Sequence, residues 1–251
     1  MVFPMDINAL TEAHFQQKPE LFLELAREWA AGGPEPTAEQ VDWLSRAPRP
    51  VIVRPAEARG ALWGILASPQ RAKALSWLDR AGILEEILPC WGGEYFRQAL
   101  RLQATEEVHL EHWAEGLSED AYDWLCVYQD QRIDGRMGGW AIAGLATLLL
   151  EGDEPADSFA NRVKRDLKVI GALPREIERI ETAIREYPEL CAAILENHPP
   201  TRMFTPTTIV ATLSTLHVLP EIGEEVRARS RHFGNQLLLR FAAPDTAGRT
   251  P

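Results

Sequence analysis

The sequence predicts an all-α fold, and three observations carry that reading. Apolar residues recur at helical spacing in nearly every segment between turn signals. Prolines and capping residues stand where those segments begin. The only run with β-branched strand character, Val51-Ile52-Val53, is bracketed by Pro50 and Pro55, so no sheet can be built from it.

From Pro19 onward, Leu21, Phe22, Leu25 and Trp29 make one apolar face, and the segment stops at Gly32-Gly33-Pro34. Thr37 followed by Gln40 is a capping box leading into Val41, Trp43 and Leu44, and Pro48 and Pro50 close this short second helix. Pro55 reads as the N-terminal proline of a helix through Ala67, with Leu62, Trp63, Ile65 and Leu66 apolar. Ser68-Pro69 opens the next helix, which ends at Gly82; a turn this short predicts an antiparallel pair.

ILEEILP and the turn CWGG follow, then a long helical pattern from Glu94 to Gly116. A helix from Ser118 contains Tyr122, Leu125, Cys126 and Tyr128, and a loop with Gly135, Gly138 and Gly139 precedes an apolar helix from Trp140 to Leu150. Further helices are predicted over 157–170, 174–186, 188–196, 206–216 and 220–240, and residues 243–251 read as a disordered tail. Pro199-Pro200 is the best boundary, dividing an N-terminal helical segment (1–50) and a helical body (51–198) from a C-terminal helical hairpin (199–242).

The 251 residues include 26 basic and 37 acidic side chains, a formal charge of −11, and 45% are apolar. This composition excludes disordered, collagen-like and disulfide-rich classes, and the acidic balance argues against coating duplex DNA through bulk charge. Cys90, Cys126 and Cys191 form no CxxC pair, so they read as free thiols in a reducing compartment rather than zinc or redox ligands. The longest apolar run, Trp140 to Leu150, falls well short of the roughly 20 residues that cross a bilayer. No membrane association is expected, and the expected location is cytoplasmic.

Basic residues gather locally despite the acidic total. Arg162, Lys164, Arg165 and Lys168 stand close together on one predicted helix, with Arg162, Arg165 and Lys168 at i, i+3 and i+6. Arg97 and Arg101 share another face at i, i+4. Such rows suit phosphates spaced along an RNA backbone; the competing reading pairs them with Asp157, Asp166 and Glu176 on a solvated surface. His109 and His112 lie at i, i+3 with Glu106 one turn back, which puts three metal-ligating side chains on one helix face. Trp63, Trp77 and Trp113 fall on apolar faces and read as core, while Trp91 and Trp140 border glycine-rich turns. No GxSxG, SxxK or GK[ST] nucleophile or phosphate-loop motif is present.

Several segments, in order, resemble the tRNA nucleotidyltransferase (CCA-adding enzyme) and poly(A) polymerase family. Residues 57–91, EARGALWGILASPQRAKALSWLDRAGILEEILPCW, are similar to that family's neck. GLATLLLEGDEP (144–155) resembles the segment that carries the His-Asp dyad in the HD domain that often follows, and residues 159–190 resemble the helical pair after it. LHVLPEIGEEVRA (216–228) is similar to a turn in the CCA-adding tail. The likeness spans about residues 40–230 and implies a neck, a degenerate HD-like core and a helical tail.

The departures set the expected function. Where the HD dyad would stand the chain has Leu150-Glu151, and leucine cannot hold a metal. The nucleotidyltransferase head, a mixed sheet with a GG turn and paired aspartates, has no counterpart in the residues read here. The resemblance therefore implies a non-catalytic module with no cofactor, binding RNA, tRNA or a nucleotide through Arg162, Arg165, Lys168, Arg97 and Arg101, or binding a separate nucleotidyltransferase-type protein. The alternative is an HD-superfamily phosphohydrolase whose divalent metal ion is held by Glu106, His109, His112 and Glu151, the last placed near them by the resemblance alone.

Overall fold

The computed structural model describes residues 10–18, 20–46, 54–68, 70–92, 114, 116–130, 132–133, 137–150, 154–219 and 222–242. Its helices are α1 (Glu12–Gln17), α2 (Leu21–Ala30), α3 (Ala38–Ser45), α4 (Pro55–Leu66), α5 (Arg71–Arg80) and α6 (Ile83–Ile87), then a 3₁₀ turn at Pro89–Gly92. After these come α7 (Glu119–Asp130), α8 (Gly139–Leu148), α9 (Ala156–Val169), α10 (Pro174–Leu195), α11 (Pro206–Val218) and α12 (Glu224–Ala242). The fold class is all-α, as the sequence predicts. The sole strand pairing among the described residues is a two-residue antiparallel ladder, Arg132–Ile133 with Met137–Gly138, in the stretch expected to be a glycine-rich loop.

Local chemistry places the helix ends. Thr37 and Gln40 close a reciprocal box, the Thr37 N–H donating to Gln40 Oε1 at 2.9 Å and the Gln40 N–H to Thr37 Oγ1 at 3.2 Å. Pro55 occupies the first turn of α4, where its missing N–H costs nothing. Helix α9 ends in a Schellman motif. Gly171 has a φ of +74°, its N–H donates to the Lys168 carbonyl, and the Ala172 N–H donates to the Leu167 carbonyl. That left-handed residue turns the chain straight back into α10.

Among the described residues the buried apolar side chains form two large cores and a small cluster of Ala146, Leu150, Ala183, Tyr187 and Ala211. The first is built by α1, α2, α4, α5, α6, α8, α9 and the first half of α10, with Trp63 and Trp77 buried as predicted and Trp77 edge-on to Trp29 at 6.4 Å. The second joins α7, α11, α12 and the second half of α10. Residues 141–150 are all buried, which explains a helix that is apolar on every side. The same second core therefore continues on both sides of Pro199-Pro200. Cys90 is buried, Cys126 and Cys191 are half-buried, and none of the three forms a disulfide.

Two helix boundaries differ from expectation. α10 runs unbroken from Pro174 to Leu195 with Pro188 inside it, where two helices were expected. An internal proline costs about 3 kcal/mol, but Ile184 and Tyr187 before it and Leu190 and Ile194 after it are all buried. Burial on both sides outweighs the lost hydrogen bond. The last helix starts at Glu224, not near residue 220, because the Gly223 carbonyl accepts the first N–H groups, from Val226 and Arg227.

Gly139 opens α8 against α7, and a Cβ there would lie 2.4 Å from the Tyr128 carbonyl oxygen and 2.9 Å from its ring. Gly60, within α4, faces open space. Urea unfolding is expected to show Gly139→Ala destabilised by about 2 kcal/mol through overpacking, and Gly60→Ala stabilised by about 0.5–1 kcal/mol through helix propensity.

Candidate functional site

Helix α9 buries Phe159, Ala160, Val163 and Leu167 in the first core. Its other side carries the basic residues singled out from sequence, but they differ in state. Arg162 is committed: its Nε donates to Glu154 Oε1 at 2.7 Å, and its guanidinium lies over the Phe159 ring, 5.0 Å from the centroid. Arg165 and Lys168 are exposed, and neither has a carboxylate within ion-pair distance among the described residues. Arg97, Arg101, Glu106, His109, His112 and Glu151 lie outside the described residues, and so do Trp113 and the side chains of Trp91 and Trp140.

The three acids expected to neutralise this row have other work. Asp157 accepts from Arg185 Nε at 2.9 Å. Asp166 Oδ2 accepts the Cys90 N–H at 2.8 Å and ties the 3₁₀ turn to α9. Glu176 is fully buried, and its Oε2 caps α10 by accepting the Leu173 N–H at 2.8 Å.

Facing α9, helix α10 supplies a group of residues that the sequence reading passed over. Glu181, a buried carboxylate, accepts from Lys164 Nζ at 2.8 Å and from Arg185 Nη1. Arg185 also donates Nη2 to Asn161 Oδ1 at 3.1 Å, so its guanidinium spans Asp157, Asn161 and Glu181. Burial alone would raise the Glu181 carboxyl; the hydrogen bonds from Lys164 and Arg185 and their charges overcome it and hold the group below the ordinary carboxylate range. The Glu181–Arg185 spacing of i, i+4 was the one signal in the sequence that could have found this pair.

An open cleft of about 640 Å³ runs along this junction, with Lys164, Lys168, Glu178, Glu181, Thr182 and Arg185 on its walls. Ala172, Pro174 and Ile177 make its apolar end.

Elsewhere the buried reactive groups are quenched. Burial, reinforced by the Asp166 charge, pushes the Cys90 thiol up, out of reach of neutral pH. Burial pushes Tyr128 up to about 12, against a hydrogen bond with Thr207 at 2.9 Å. Among the described residues no group of three or more His, Cys, Asp or Glu side chains converges for a metal ion. No described helix is long and apolar enough to cross a membrane. Compared with known proteins, the chain matches no family model and no curated sequence.

Because the folded Glu181 carboxyl titrates below its ordinary value of 4.5, its contribution to stability is present above that pH and is lost as pH falls through the lower folded value. Urea midpoints at pH 3.5 and pH 6 are expected to differ less in Glu181→Gln than in the parent chain. An equal difference in both would remove Glu181 from the acid limb.

Proposed function

We propose that the chain is a non-catalytic helical binding module that takes RNA on the outer face of α9, in the manner of the RNA-binding body of the tRNA nucleotidyltransferases it resembles. The reading rests on one observation: Arg165 and Lys168 are exposed and have no acidic partner among the described residues, while the acids nearest them in sequence are engaged elsewhere. Two free cations one helical turn apart offer two phosphate contacts that cost no existing ion pair. Arg162 sits at the end of the row with its charge shared with Glu154, so it orients more than it binds.

Filter binding of labelled tRNA at two salt concentrations tests this. Retention at about 50 mM salt is expected to weaken tenfold or more in Arg165→Glu/Lys168→Glu, with a salt slope shallower by about 1.5 for the two lost phosphate contacts. Arg80→Glu, a single charge reversal of the same kind on α5, is expected to bind as the parent does. Undiminished binding by the double variant overturns the assigned face. No binding by the parent chain overturns RNA as the ligand and leaves a protein partner.

A further inference from the structure

The cleft between α9 and α10 holds charges that the hairpin does not use. Lys164 and Arg185 are fixed by Glu181, yet an ammonium has three donors and a guanidinium five. Arg185 spends three N–H groups on Asp157, Asn161 and Glu181, leaving two. Lys168 stands one turn beyond Lys164 on α9 with its whole charge free among the described residues. On the α10 side, Glu178 is exposed and likewise has no ion-pair partner among the described residues. Lys168 and Glu178 thus line the same cleft without pairing to each other.

These features restrict what fits. Three cationic side chains with spare donors favour a dianion over a monoanion: a phosphomonoester brings three terminal oxygens and close to two negative charges, where a carboxylate brings one. A bare anion would meet Glu178 unfavourably, but a ligand carrying hydroxyls would donate to it. The volume of about 640 Å³ lies within the roughly 300–1,000 Å³ of small-molecule sites and leaves room beyond a phosphate group. Ala172, Pro174 and Ile177 offer that remainder an apolar wall.

We infer that the α9–α10 cleft is a binding site for a phosphomonoester on a hydroxylated organic body, such as a sugar phosphate or a nucleoside monophosphate, whether free or at the end of an RNA. The phosphate sits among Lys164, Lys168 and Arg185, Thr182 adds a hydroxyl, and Glu178 accepts from the sugar. The site stands apart from the RNA face, since Arg165 does not line it, and Lys168 is the one residue shared.

Amide chemical-shift titrations of the full chain at about 50 mM salt, with ribose 5-phosphate, AMP, inorganic phosphate and adenosine as probes, decide the matter. Ribose 5-phosphate and AMP are expected to shift amides around Lys168 and Thr182, inorganic phosphate to bind at least tenfold more weakly, and adenosine not to bind. Lys168→Gln is expected to weaken ribose 5-phosphate tenfold or more. Glu178→Gln is expected to weaken ribose 5-phosphate while leaving inorganic phosphate unchanged or tighter. A 5′-phosphorylated oligonucleotide that shifts the same amides, where its 5′-hydroxyl form does not, identifies an RNA end as a source. Adenosine binding as tightly as AMP, or phosphate probes that move no resonance on α9 and α10, overturns the inference. Arg165→Glu separates the two sites: loss of tRNA retention with an unchanged AMP titration upholds the cleft, whatever becomes of the RNA face.

Discussion

Three carboxylates are buried along α10, Glu176, Glu181 and Glu186, and the donors that reach the last two tie the helix to its neighbours. An unpaired carboxylate in a protein interior costs several kcal/mol, so each must find donors. The three stand five residues apart, and at about 100° per residue each step turns the side chain by about 140°. They therefore face three different ways. Glu176 turns back on the helix start and accepts the Leu173 N–H. Glu181 reaches α9 through Lys164 and, with Arg185, secures the hairpin. Glu186 reaches the start of α11, accepting from Thr208 Oγ1 at 2.6 Å, the Thr205 N–H at 3.1 Å and Arg202 Nη1 at 2.9 Å. A helix held from two sides by polar contacts to neighbouring segments is restricted in rotation and register.

Such contacts specify more than they stabilise. A buried ion pair returns little over a well-packed apolar substitute, and the apolar groups around α10 supply the larger favourable term. What the polar groups add is selection among the ways an apolar helix can be rotated. α8 shows the contrast: buried from Ala141 to Leu148, it carries in that span a single buried side-chain hydroxyl, Thr147, which bonds back to the Ala143 carbonyl in its own helix. Its place is fixed instead by shape, above all at Gly139 against Tyr128.

The sequence made the helices legible where the signal is local. The Thr37–Gln40 box, Pro55 at the start of α4 and Gly82 beyond α5 each act within a few residues, and each stands where periodicity put it. Pro188 misled for the same reason: a local rule ends a helix there, and the buried residues that carry α10 through it come from packing with distant segments. The site was half legible. Arg165 and Lys168 emerge from spacing on one helix, but the pairs Lys164–Glu181 and Asp157–Arg185 exist only because Gly171 folds α10 back along α9. Arg162 and Glu154 were equally hidden, since Glu154 precedes the helix and no helical spacing joins them.

The net charge of −11 says little about what α9 can bind, because what decides the matter is where each acid is spent. Asp157, Asp166 and Glu176 lie near the basic row in sequence, and composition alone would cancel one against the other. The fold assigns them instead to Arg185, to the Cys90 N–H and to the Leu173 N–H. Each of those duties is structural: one braces the hairpin, one anchors the 3₁₀ turn and one caps α10. Asp166 and Glu176 are poor competitors for an exposed cation, since leaving would strand the backbone N–H each accepts; Asp157, largely exposed, is held by Arg185 alone. Among the described residues, Arg165 and Lys168 are thus left without an acidic partner by the same hydrogen bonds that hold the hairpin together.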